Sequence, residues 1–139
     1  MPARILIADD YDDNRELLRL MLLPDGYTVR ETRDGHECLK AAREEVFDLV
    51  LIDLSMPNLD GWGTLRELRA DERTRHLPCV AFTAFASDED RQSALRAGFD
   101  AYLAKPFRAK ELLELVENLL VEHAAHAAQP EMAEQTANE

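Results

Sequence analysis

Four apolar runs in this chain each stop at a group that can do chemistry. Ile5-Leu6-Ile7-Ala8 runs into Asp9-Asp10, Leu49-Val50-Leu51-Ile52 into Asp53, Val80-Ala81-Phe82 into Thr83, and Ala101-Tyr102-Leu103-Ala104 into Lys105. If the fold brings these ends together, three carboxylates crowd one another and stay ionised comfortably only when a cation joins them. Oxygen donors without a nearby His or Cys select a hard ion, and an open site that keeps waters and meets phosphate favours Mg²⁺ over Ca²⁺. A carboxylate beside such an ion can attack phosphorus and form an acyl phosphate. The ion and the Lys105 ammonium would neutralise charge on the group in transit, and Thr83 could donate a hydroxyl hydrogen bond to one of its oxygens. Singly, each residue has a plainer explanation: an Asp at a strand end makes a turn or caps a helix, a Thr favours strands, a Lys is a solvated charge. Jointly they are far more specific.

The elements that must position these groups alternate in type. The four runs are apolar throughout, as strands buried on both faces are, and a fifth, Tyr27-Thr28-Val29, is mixed, as an edge strand can be. Helical patterns lie between them. One carries Leu17, Leu18, Met21 and Leu22, with Asp13 and Glu16 at capping-box spacing, and Pro24-Asp25-Gly26 ends it. Another opens with Ser87 and Asp90 and closes near Gly98, and the last carries Leu112, Leu113, Val116, Leu119 and Leu120. Strand alternating with helix specifies an α/β fold, doubly wound, with a five-stranded parallel sheet covered on both faces. In such sheets ligands bind beyond the carboxyl ends of the strands, where the chemistry-bearing residues stand.

Composition narrows the function. The chain has 139 residues, 46% of them hydrophobic, and a formal net charge of −12, which suits one domain and repels nucleic-acid phosphates. Cys38 and Cys79 are too few and too far apart for a zinc or redox motif, and read as buried hydrophobes in a reducing compartment. No signal segment or bilayer-spanning run is visible, so the expectation is a soluble, cytoplasmic protein with no membrane and no nucleic-acid partner. The body is expected to span 1–121, with 122–139 a frayed or disordered acidic tail. A flavin-mononucleotide binder on this fold would need a Gly/Ser/Thr-rich phosphate loop after the first strand, and the sequence has Asp9-Asp10-Tyr11-Asp12-Asp13 there.

From about Arg4 to Val121 the chain resembles the receiver domains of the two-component response-regulator family. The resemblance is carried by Ile5-Leu6-Ile7-Ala8-Asp9-Asp10, by Asp53-Leu54-Ser55-Met56-Pro57 with Asp60-Gly61, by Thr83-Ala84, and by Tyr102-Leu103-Ala104-Lys105-Pro106-Phe107. It implies a flavodoxin-like strand order of 2-1-3-4-5 and Asp53 as phosphoacceptor. It also implies Mg²⁺ held by Asp10, Asp53 and the Ser55 carbonyl, with Asp9 acting through water. Lys105 would pair with the phosphoryl group, Thr83 and Tyr102 would be the switch pair, and the Lys105–Pro106 bond would be cis.

The function expected is therefore a free-standing, single-domain regulator of a phosphorelay, not an enzyme on outside substrates. It would be phosphorylated by a histidine kinase or phosphotransfer protein and would act on a downstream protein target, with a homodimer left open. A receiver cut from a hybrid kinase is disfavoured because the first strand follows Met1 at once. A metal-dependent phosphatase or phosphotransferase would use the same carboxylates but needs a lid, and the connections look too short for one. A phosphorylation-independent adaptor has no use for a complete site. Apolar residues on the first and last helices exceed one narrow stripe, which marks either an interface or a wide buried face. Ser55 and Phe85 flank the expected pocket mouth, and Phe85 is a candidate for control of hydrolysis. Trp62 reads as a packing residue, His36 and His76 as surface residues, and the His123/His126 pair as chance. Arg108 is a weak N-cap for the last helix.

Overall fold

The computed structural model of the chain describes residues 3–84 and 87–127. Five strands and five helices alternate: β1 (Arg4–Ala8), α1 (Asp12–Leu22), β2 (Thr28–Thr32), α2 (Gly35–Glu44), β3 (Leu49–Asp53), α3 (Gly61–Ala70), β4 (Cys79–Thr83), α4 (Asp88–Ala97), β5 (Ala101–Ala104) and α5 (Ala109–Ala127). All neighbouring strands pair in parallel in the order β2-β1-β3-β4-β5. The expected doubly wound order of 2-1-3-4-5 is the observed one.

Side-chain alternation along each strand splits the core into two layers. Ile5, Ile7, Leu49, Leu51, Val80, Phe82 and Leu103 meet Leu18 and Leu22 of α1 and Leu112 and Val116 of α5 on one face. Leu6, Ala8, Val50, Ile52 and Ala81 meet Cys38 and Leu39 of α2, Leu65 and Leu68 of α3 and Ala94 of α4 on the other. Each central strand therefore has no polar face, which is why its sequence reads as an unbroken apolar run.

Two element starts differ from the sequence expectation, and a third is supported in an unexpected way. β2 begins one residue later than Tyr27 and runs on to Thr32, because only β1 flanks it and its exposed Arg30 and Glu31 hide the pattern. The capping box at Asp13 and Glu16 does not form. α1 starts at Asp12, its N-cap is Tyr11 with no side-chain cap, and Asp12 and Asp13 lie inside the first turn, where their charges suit the helix dipole. At the start of α5, the weak N-cap Arg108 is relieved from the other side, since its main-chain N–H donates to Glu111 Oε1 at 3.3 Å. The α4 signals act as read: Ser87 Oγ accepts the Asp90 N–H at 3.0 Å, and Gly98 ends the helix with φ 117°, a conformation that favours glycine. Residues 122–127 continue α5, and 128–139 lie outside the described residues.

Candidate functional site

The carboxyl ends of β1, β3, β4 and β5 converge as a parallel sheet requires, and they carry Asp9, Asp10, Asp53, Thr83 and Lys105 to one edge. One carboxylate oxygen from each of Asp9, Asp10 and Asp53 lies within 4.8 Å of the other two. Asp9 is fully buried, Asp53 is 5% exposed, and Asp10 stands open to solvent. Lys105 Nζ reaches across from the end of β5, 3.0 Å from Asp53 Oδ2 and 3.5 Å from Asp9 Oδ2. Its ammonium sits 4.8 Å from the centroid of the buried Phe82 ring, which supports it from below.

Main-chain donors aim the two buried carboxylates. Asp9 Oδ1 accepts the Tyr11 N–H at 2.9 Å, and Asp53 Oδ1 accepts the Ser55 N–H at 3.0 Å. Each pairing leaves the second oxygen turned into the cluster. Asp9 Oδ2 is buried and accepts no hydrogen bond among the described residues, and the Lys105 ammonium lies 3.5 Å from it. Burial holds the Asp9 carboxyl above its ordinary value, more than the Tyr11 N–H and Lys105 pull it down, and the charges of Asp53 and Asp10 add to the rise. A buried anion lacking a donor costs free energy that a cation there would offset. The donor set, three carboxylates and no nitrogen or sulfur, fits a hard divalent ion.

The approach of α3 explains Gly61. A Cβ at that position would sit 2.5 Å from the Asp53 carbonyl oxygen and 2.6 Å from Leu54 Cα. Glycine lets the helix start press on the segment that carries Asp53, with the Gly61 N–H bonded to the Leu54 carbonyl at 3.1 Å.

Thr83 is 2% exposed at the end of β4. Pairing of Ala81 with Tyr102 and of Thr83 with Ala104 puts Thr83 and Tyr102 on the same side of the sheet. The Tyr102 ring is half-buried and packs with Trp62 against the layer formed by α2, α3 and α4, and its hydroxyl is held above the ordinary value by burial and by the charge of Asp90. Trp62 meets Phe99 edge to face with centroids 6.0 Å apart. A cleft of about 250 Å³ opens between Ser55, Trp62, Thr83 and Asp90. Ser55 is exposed at its rim, and the Lys105–Pro106 bond is cis. Phe85 lies outside the described residues.

Other positions sort plainly. His36 is exposed, and so is His76, whose ring lies 6.2 Å from that of His123. The side chain of His126 lies outside the described residues. Leu17 and Leu20 are 49% and 56% exposed, so the surplus apolar residues of α1 do not all serve the core. Two contributors carry no signal in the sequence: Phe82 beneath Lys105, hidden in an apolar run, and the buried Arg15 of α1, which reads as an ordinary surface cation.

Known proteins share this family and fold. Residues 5–117 match the response regulator receiver domain family. The response regulator DivK of Brucella anthropi is 34% identical over 120 residues, spanning 86% of this chain and 98% of that one. Among solved structures, the chemotaxis protein CheY4 of Vibrio cholerae superposes with a TM-score of 0.81 at 28% identity, covering 86% of this chain and 99% of that one. The receiver domain of the Pseudomonas aeruginosa sensor histidine kinase PA1611, described with magnesium in its active-site cleft, gives 0.80 at 36% identity and covers 86% and 98%. The chain belongs to the response regulator receiver domain family, and so to the proteins of two-component signalling. Among the described residues, no helix is long and apolar enough to cross a membrane.

Proposed function

We propose that this protein is a cytoplasmic phosphorylation switch in which Asp53 accepts a phosphoryl group from a histidine kinase or phosphotransfer protein. In it residues 1–121 form the switching body, and the output is a contact with another protein. The observation that carries the reading is the charge arrangement: one ammonium, Lys105, set between Asp53 and Asp9, beside a buried carboxylate oxygen that lacks a donor. Asp10, Asp53 and the Ser55 carbonyl would hold Mg²⁺, with Asp9 acting through water. The ion would supply positive charge where the phosphoryl oxygens arrive.

The chain's own groups do the rest. Asp53 Oδ2 forms the new O–P bond as the P–N bond to a donor histidine breaks. The Ser55 N–H holds the other Asp53 oxygen still. Lys105 moves its charge from the carboxylate to the incoming phosphoryl oxygens, and Thr83 donates its hydroxyl to one of them. The product is an acyl phosphate that changes this protein and no outside substrate.

Incubation with acetyl phosphate and Mg²⁺ is expected to add one phosphoryl mass, labile to base and to hydroxylamine, and chelation by EDTA should prevent it. Intact-protein mass spectrometry reads both arms. No added mass, or equal labelling with and without EDTA, contradicts the proposal.

Mg²⁺ should also stabilise the fold in a pH-dependent way. Asp9's raised value means that, without metal, its contribution to stability is fully present below the ordinary 3.8 and is lost as pH rises through the raised value. Mg²⁺ needs the ionised carboxylates, so its effect runs the other way. At free Mg²⁺ of 100 times Kd, the gain at neutral pH is about 2.7 kcal/mol. Thermal unfolding should show that gain at neutral pH and lose it on acidification through the raised Asp9 value. Equal stabilisation at neutral and acid pH would show that the ion binds elsewhere.

A further inference from the structure

We propose that Arg15 is a positioning residue for the metal seat, acting from inside α1 on the main chain that carries Asp9 and Asp10. The inference rests on the reading that these carboxylates and Asp53 hold a divalent cation. Arg15 is 8% exposed, the one buried arginine among the described residues. Its donors are divided three ways. Nη1 donates to the Asp9 carbonyl oxygen at 2.7 Å, Nη2 pairs with Asp12 Oδ1, and Nε lies 3.5 Å from Glu31 Oε1 in β2. Glu31 is fixed in turn by Arg19, whose Nε lies 3.5 Å from its other oxygen.

The contact with Asp9 matters because of peptide geometry. The Asp9 carbonyl belongs to the planar unit joining Asp9 to Asp10, so holding that oxygen sets the direction in which Asp10 leaves the strand. Other bonds fix the neighbours: the Asp9 N–H donates to the Thr32 carbonyl at 3.1 Å, and the Arg15 N–H donates to the Tyr11 carbonyl at 3.2 Å. Arg15 thus grips residues 9–11 through both its side chain and its main chain. Glu31 and Asp12 anchor the guanidinium, and its planar fork serves three acceptors, which an ammonium on a flexible stem does not reproduce.

Charge and position predict opposite signs, which makes the role testable. A cation beside a metal seat repels the metal. If Arg15 acted by charge alone, removing it would tighten Mg²⁺ binding. If it positions the ligands, removing it loosens binding by the roughly 10- to 100-fold typical of groups that orient metal ligands.

Mg²⁺ would be titrated into the metal-free full chain, wild type, Arg15→Gln and Arg15→Lys, following the amide resonances of Asp10 and Asp53. Acetyl phosphate labelling would be timed in the same series. Both variants are expected to need about 10- to 100-fold more Mg²⁺ for half-saturation, with labelling returning to the wild-type rate once Mg²⁺ saturates. Should Arg15→Gln fail to fold, Arg15→Lys, which keeps the charge, decides. A half-saturation point at or below that of wild type in a folded variant overturns the inference, as does a labelling defect that saturating Mg²⁺ leaves intact. A structural role alone would lower the melting temperature and leave the titration midpoint unmoved. If wild type binds no Mg²⁺, the reading of the site falls first, and that result is distinct from wild type binding as tightly as the variants.

Discussion

Asp53→Asn is expected to abolish labelling by acetyl phosphate, a loss on the order of 10³-fold or more, as when an enzyme loses its nucleophile. The amide oxygen is a poor nucleophile, and an amide also removes one of the three charges that would hold the ion. The same change takes from Lys105 its nearer partner, at 3.0 Å, and leaves only Asp9 at 3.5 Å. Folding should survive, because Asn keeps the volume and can still accept the Ser55 N–H. Mass spectrometry with peptide mapping and a circular dichroism melt would read the two effects separately. Wild-type labelling mapped to a residue outside the Asp9, Asp10 and Asp53 cluster would end the assignment of Asp53.

Thr83→Ala should leave phosphate acceptance intact and weaken the response at a distance. Thr83 is buried at the end of β4, on the side of the sheet where the half-buried Tyr102 packs. A phosphoryl oxygen on Asp53 would offer the hydroxyl a charge-assisted bond worth about 1.5–3 kcal/mol. A ligand shifts a conformational equilibrium only through contacts that differ between its states. Loss of this bond should therefore cost the switched population about 10- to 100-fold. Movement of Thr83 toward Asp53 would free space for the Tyr102 ring and change the surface of α4, β5 and α5. Backbone shifts with and without beryllofluoride, a phosphoryl mimic, should change around Tyr102 and Ala94 in wild type and stay nearly still in Thr83→Ala. Equal shifts in both proteins would mean that the signal leaves by another route.

The sheet was legible because its central strands are buried on both sides. Leu49 to Ile52 have no polar face to interrupt them, and the same holds for Ile5 to Ala8. The clustering of Asp9, Asp10, Asp53 and Lys105 followed from that alternation alone, since a parallel sheet leaves only one edge for such residues. Less legible was anything decided by exposure. β2 lies at an edge, so Arg30 and Glu31 broke its pattern. Asp9, Asp10, Asp12 and Asp13 are all plausible caps in a string, and none of them caps α1, whose first main-chain bond runs from the Arg15 N–H to the Tyr11 carbonyl. Arg15 sits between Asn14 and Glu16, and nothing local separates a buried guanidinium from a solvated one. Its burial depends on β2, which the chain reaches only later.

The open sheet ends in two strands with only one paired side each, β2 and β5. An exposed edge invites a strand of another molecule to add to it, the first step of aggregation, and proteins blunt such edges with charge or brevity. β5 has four residues. On β2, Arg30 pairs with Glu45, and Glu31 with Arg15 and Arg19. A flat strand docking there would have to strip water from these charges, which disfavours edge-to-edge addition at β2.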